Sequence, residues 1–272
     1  MANNLKLLYN NLFDLSSTSI TASTGNTGID NLKSDTKSSI WTTNNSSSIL
    51  TVTFGQDFAV DTIVMPFTNF SSTTTLTVQA QDVNSNVLQT TGPVTACPGT
   101  QPTEAFGEVL TASRVALFKY GYGFYGRYYI PEITCRKLLI TITHSENIIE
   151  VSRLLIGKSW VPKYQVPYGV TSGFNDASEH TRTESGDLIT NIKPKFRILN
   201  FDLKYLPDTD RTQFRNILLR GSGNPIFVSI FPNDTDPNRE QNHMIYGKLP
   251  QLSPIQYNML DLYSTQVSLE EI

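Results

Sequence analysis

The sequence predicts a mainly β protein: an N-terminal antiparallel β-sandwich of the jelly-roll kind, then a β-rich module with one clear α-helix. Three observations carry this expectation. Short runs alternate apolar and polar residues with period two along most of the 272 residues. Tracts of Ser, Thr, Asn, Gly and Pro punctuate those runs, as turns between short strands do. Only one stretch, near 209–220, spaces its apolar residues by three and four. The texture changes over 157–162, Gly-Lys-Ser-Trp-Val-Pro, and divides the chain into residues 1–157 and 158–272.

Taken in order, the tract 16–48 is rich in Ser, Thr and Asn, yet Ile20, Ile29, Leu32, Ile40 and Trp41 recur in it. A disordered linker would not need them, so it reads as polar loops pinned to a core. Strands are expected at 49–55, which alternates and is β-branched, at 61–67, a buried run, and at 74–80, which alternates again. Runs at 137–143 and 151–157 close the set. Several short strands without a helical period indicate a sandwich or barrel.

The order of these motifs resembles the discoidin-like jelly roll, the coagulation-factor C-type family, over roughly 15–157. The residues that carry the resemblance are Trp41 ahead of a strand ending in Phe54-Gly55, the later Ile63 strand, Leu76 to Asp82, the Arg136-led strand, and Glu150 with Gly157 after it. The resemblance implies a module that binds sugar, lipid or protein through its loops. The family's disulfide joining the domain ends is absent, and a segment at about 97–135 is extra.

That segment, bracketed by Cys97 and Cys135, packs aromatics between glycines: Tyr120, Tyr122, Phe124, Tyr125, Arg127 and Tyr128 lie within it. Aromatic rings supply large contact area and glycine permits close backbone approach. Two readings stand: a contact loop for a partner subunit or saccharide, joined by Trp41, or a hairpin whose rings cover the module's own core. A nucleic-acid stacking platform is a third and weaker reading, because only Lys119 and Arg127 supply positive charge there. The cysteines are expected as reduced thiols, with a loop-closing bridge as the alternative.

Beyond Trp160, the prolines Pro162 and Pro167 favour an extended connection. A polar region at 175–187 reads as a hairpin between strands near Tyr168 and Ile189. Residues 195–206 alternate as a half-buried strand should. The helix follows, with Asp208 as candidate N-cap, Phe214, Ile217 and Leu218 as its apolar stripe, and Arg220-Gly221 at its end. Strands at 224–232, 243–249 and 257–269 complete the module. A strand with Arg197, Phe201 and Leu203, a helix, Gly-Ser-Gly-Asn-Pro leading into Ile226-Phe227-Val228, and a Tyr246-Gly247 strand resemble tail-tip and baseplate proteins of tailed bacteriophages over roughly 160–272. That resemblance implies a module packed in a ring with neighbouring copies and other tail proteins.

Composition narrows the function classes. The formal net charge is -3, 17% of residues are charged, and there are three histidines. This gives no basic field for nucleic acid. No apolar run approaches the ~20 residues a membrane helix needs, and the first residues lack the pattern of a signal peptide. The run 233–239 imitates a calcium loop, but Arg239 stands where glycine is required and Ile245 where a bidentate Glu belongs, so an Asx-rich turn is expected. His144, His180 and His243 lie in separate segments. No arrangement of nucleophile and base, paired carboxylates or metal ligands is legible, and no catalytic, cofactor or metal site is expected. The reading that results is a non-enzymatic structural protein of a phage virion, assembled in the host cytoplasm at the tail tip or baseplate. Its sandwich would face outward, with a host surface glycan as a further partner. The alternative is a carbohydrate-binding module protein that recognises glycans through aromatic loops.

Overall fold

Strand β4 (Ser47–Thr68) explains the N-terminal half, because its two halves serve two facing layers. The first half pairs with β2 (Ser19–Ala22) and with residues 137–143 of β7 (Phe124–Thr143). The register breaks between Thr53 and Phe58. The second half then pairs with residues 124–135 of β7 and with β9 (Leu155–Gly157). Both halves feed one core: Leu50 and Val52 from the first, Ile63 and Met65 from the second, with Trp41, Leu76, Ile140 and Ile156. The order β3 (Trp41–Thr43), β8 (Ile149–Val151), β4, β7, β5 (Thr75–Gln81), β6 (Val87–Thr95) completes an antiparallel β-sandwich. The computed structural model describes residues 4–25, 28–99, 124–145, 148–221, 223–252, 254–259 and 261–272.

The C-terminal half forms a seven-stranded antiparallel sheet. Its order is β1 (Lys6–Leu8), β14 (Ile226–Ser229), β15 (Met244–Lys248), β17 (Leu262–Glu271), β13 (Lys195–Leu206) and β10 (Thr171–Asp176), with β16 (Gln256–Met259) added on β17. The first strand of the chain thus belongs to the sheet built by the last third. Leu7 also exchanges backbone bonds with Trp160, the residue that leaves the sandwich. Helix α1 (Asp208–Gly221) puts Phe214, Ile217 and Leu218 on one face of this sheet, against Leu5, Leu7, Trp160, Ile226, Val228 and Ile245.

The opposite face of the same strands carries Leu8, Phe227, Met244 and Tyr246, which pack on Val64, Phe67, Tyr125 and Leu155 of the sandwich. Side chains alternate faces along a strand, so β14 and β15 read as continuous apolar runs because both of their faces are covered. The molecule is layered: two sandwich sheets, the second sheet, and a helix.

Several expectations are corrected in detail. Residues 151–157 form no continuous strand; buried Arg153 sits between β8 and β9. The run 257–269 folds back at Asp261, where φ is +58°, into β16 and β17. Helix α1 already includes Asp208, and its first turn is closed by Arg211 N–H donating to the Pro207 carbonyl. A second short helix, α2 (Pro237–Asn242), was not anticipated; Asp236 caps it by accepting from Asn238 N and Arg239 N. The hairpin expected near 175–187 exists, but as β11 (Glu179–Arg182) and β12 (Leu188–Asn191), a separate two-stranded sheet beyond β10 and β13.

Candidate functional site

The aromatic run is placed by strand geometry. Within β7 the even residues Phe124, Tyr128 and Ile130 enter the sandwich core, while Tyr125 turns outward into the second sheet. Gly126 sits between them because a Cβ there would lie 2.6 Å from the buried Phe70 ring. Phe124, Tyr125 and Tyr128 are buried, as is Trp41, whose indole N–H donates to the Gly25 carbonyl. The expectation that these four rings meet an external partner or a saccharide is therefore corrected: strands with a layer on each side leave their rings no open face. Tyr120 and Tyr122 lie outside the described residues. Residues 124–135, expected inside an inserted segment, are part of the central strand β7.

Tyr125 and Arg127 nevertheless bind something, namely the other half of the chain. The Tyr125 hydroxyl donates to Glu271 Oε1 at 2.7 Å and accepts from Tyr246 N–H at 3.0 Å. Burial first, then the adjacent Glu271, pushes its phenol well above the ordinary value, so it remains a neutral donor. The Arg197 guanidinium lies 5.1 Å from the Tyr125 ring centre. Arg127 Nε and Nη2 donate to the two carboxylate oxygens of Glu240 at 2.8 and 2.7 Å. Burial opposes the Arg127 charge, but the Glu240 hydrogen bonds and charge outweigh it and hold the pKa up. Gln241 accepts from Tyr125 N–H and donates to Cys97 Sγ.

The short α2 delivers both Glu240 and Gln241 into this junction. The polar turn 233–239 thus has a structural role: Asp236 caps the helix, and Asp234 pairs with Arg239. The Arg239 hydrogen bonds lower the Asp234 pKa. Among the described residues no group of three or more His, Cys, Asp or Glu is placed to hold a metal. Cys97 and Cys135 are free and buried. Burial pushes the Cys97 thiol up to about 12 and the Cys135 thiol up to about 11, far from the range of a reactive thiolate.

A second polar cluster borders a cleft of about 290 Å³ between the halves. Arg153 donates from Nη1 and Nη2 to Asp14 at 2.7 and 2.6 Å, and its Nε lies 3.0 Å from Asp35 Oδ1. Tyr246 donates its hydroxyl to Asp35 at 2.7 Å. Burial disfavours the Arg153 charge, and the Asp14 hydrogen bonds more than offset it. These contacts tie the 3-10 turn at Leu12–Asp14 to the second sheet. His144 is buried, with Nδ1 2.7 Å from Thr74 Oγ1; His180 and His243 are elsewhere, so the histidines are not brought together.

Exposed apolar residues such as Val83, Val87, Leu219 and Tyr257 are scattered over the surface, but one group lies together in a different place. Tyr168, Phe174, Leu188, Ile189 and Ile192 are each more than half exposed. They lie on or beside the arm formed by β10, β11 and β12, whose residues 171–192 are almost all exposed. Among the described sandwich residues no aromatic side chain is exposed. Its loop end instead groups exposed polar side chains at Asn44, Asn45, Ser46, Ser72, Thr73 and Ser145. Thr73 donates to Ser145 across two loops, and Ser46 accepts from His144 N–H.

No protein-family model and no curated protein matches the chain. Similar solved structures include CpGH89CBM32-5 from Clostridium perfringens, in complex with GalNAc-β-1,3-galactose, at 9% identity and a TM-score of 0.37, covering 55% of this chain and 100% of that one. The family 32 CBM of C. perfringens NanJ, in complex with galactose, is 12% identical with a TM-score of 0.36, over 55% and 98%. A Ruminococcus gnavus GH29 fucosidase in complex with fucose is 14% identical with a TM-score of 0.35; the match covers 56% of this chain but only 27% of the enzyme.

Proposed function

We propose that this protein is a non-enzymatic binding and assembly subunit. Its second sheet docks to neighbours through the 171–192 arm, and its sandwich is carried outward as a recognition module. One observation carries the reading: Phe174 on β10, and Leu188, Ile189 and Ile192 on or next to the two-stranded β11–β12 hairpin, hold apolar surface in water. An isolated hairpin is marginally stable in water, and clustered exposed apolar surface marks an interaction site. The setting we propose is the tail tip or baseplate of a tailed phage, assembled in the host cytoplasm, with other tail proteins and further copies of this chain as partners. That resemblance rests on the succession of strand β13, helix α1, strand β14, the Tyr246-Gly247 strand β15 and the closing strand β17. Sedimentation of the purified protein tests the assembly reading. Oligomers that dissociate on a joint Leu188→Ser, Ile189→Ser change are expected; a wild-type monomer at every concentration overturns it.

The second reading is glycan recognition by the sandwich. It is supported by the hydroxyl and amide groups at the loop end, which suit exchange of hydrogen bonds with sugar hydroxyls. Tyr120 and Tyr122 stay candidate contacts on this reading. Galactose and GalNAc-galactose are the first ligands to titrate by calorimetry. Saturable heat that an Asn45→Ala, Thr73→Ala change reduces is the expected result; no heat with millimolar sugar overturns it.

A further inference from the structure

We infer that the free edge of β10 pairs with the same edge of a second copy, antiparallel about a two-fold axis, with Phe174 of each copy at the centre. The inference rests on the assembly reading of the arm and names its occupant. Strand β10 ends the seven-stranded sheet and, among the described residues, pairs with β13 alone. Its outer edge therefore presents backbone N–H and C=O groups without a strand partner among the described residues. Natural edges are guarded by Lys, Pro, bulges or a covering element. Residues 171–176, Thr-Ser-Gly-Phe-Asn-Asp, contain no Lys and no Pro, and their register against β13 is unbroken.

The edge is also compatible with itself in charge. Its one charged residue, Asp176, pairs with Lys195 of its own chain at 3.3 Å. A two-fold axis perpendicular to a sheet keeps each side chain on its face, so directly opposed residues must match in parity. With Phe174 opposite the partner's Phe174, Asp176 falls opposite the partner's Ser172, and Asn175 opposite the partner's Gly173. No like charges are directly opposed. Such opposition is what disfavours cross-strand pairing. The two exposed rings cover one another.

The same register brings Tyr168 in. The arm continues past Asp176 and would run beside the partner's residues 168–170, with His180 alongside the partner's Tyr168, a side chain that is otherwise fully exposed. The directly opposed run is 168–180 of each copy, the extent of a small interface; β12 pairs with β11 on the side of β13, away from that edge. The contact is isologous, so the same patch serves both copies.

Sedimentation equilibrium on the full chain tests the pairing. The wild type is expected to form a species of twice the 30.4 kDa chain mass. Phe174→Lys and Phe174→Asp, each placing like charges at the axis, should each weaken self-association about tenfold or more. An equimolar mixture of the two should restore the dimer through opposite charges. Tyr257→Lys, exposed but remote from the edge, should leave association unchanged. Phe174 is exposed, so circular dichroism should show both variants folded. Variants that associate like the wild type, or a mixture that fails to restore the dimer, overturn the edge pairing and leave the arm-based assembly reading standing. A wild-type monomer overturns both.

Discussion

Two stretches of this chain place aromatic and apolar residues in β-strands, and they end in opposite surroundings. Residues 124–130 lie in β7, with the sandwich core on one side and the second sheet on the other. Residues 168–192 form or flank an arm that the other described residues leave exposed. Composition would rank the first as the stickier surface, since it holds four aromatic rings within six residues, 124–129. The fold reverses that ranking. A strand's stickiness is decided by how many of its faces other layers take, and β7 has both taken. The junction even satisfies the polar tips of its residues: Tyr125 by Glu271 and Tyr246, Arg127 by Glu240.

The sharpest way to break the comparison is to disable the junction. Glu240→Ala leaves the buried Arg127 guanidinium without its bidentate carboxylate. The expected loss is about 3–5 kcal/mol of folding free energy, read from urea midpoints; a change within experimental error would mean the ion pair is not part of a closed interior. Gly126→Ala pushes a methyl group against the Phe70 ring, and about 1–3 kcal/mol is expected. Tyr125→Phe removes a hydroxyl that both donates and accepts, leaving Tyr246 N–H without that acceptor. Its cost is of the same size or smaller, about 1–3 kcal/mol. At the low end, Leu188→Ser on the arm should shift the unfolding midpoint by no more than ~0.5 kcal/mol. A large loss of monomer stability there would erase the contrast between the two regions.

Much of the architecture was legible because period-two patterns are local. The strands at 49–55, 74–80, 137–143 and 195–206, and the helix stripe Phe214, Ile217, Leu218, all stand in the structure. What was not legible is long-range. Nothing local tells that Lys6–Leu8 pairs with Ser229–Phe227, more than two hundred residues away. The alternation of Tyr125 and Arg127 against Phe124 and Tyr128 was visible as a strand signal, but glycine-rich spacing drew it toward a loop reading. Glu240 and Gln241 gave no warning, since a polar turn followed by Pro237 reads as exposed until the junction closes on it. The arm's hairpin was legible, but its exposed apolar surface was not: Leu188, Ile189 and Ile192 alternate poorly and sit among charges.

The central claim is that the sandwich and the second sheet share one closed interior. The two tryptophans report on it separately, because Trp41 lies in the sandwich core and Trp160 in the second core. Urea unfolding followed by fluorescence in Trp160→Phe and in Trp41→Phe variants, each normalised to circular dichroism of the same variant, is the direct measurement. The account predicts that each remaining tryptophan unfolds in step with the whole chain, as a single cooperative transition does. A tryptophan signal that completes its transition while the other half still holds its secondary structure would contradict it.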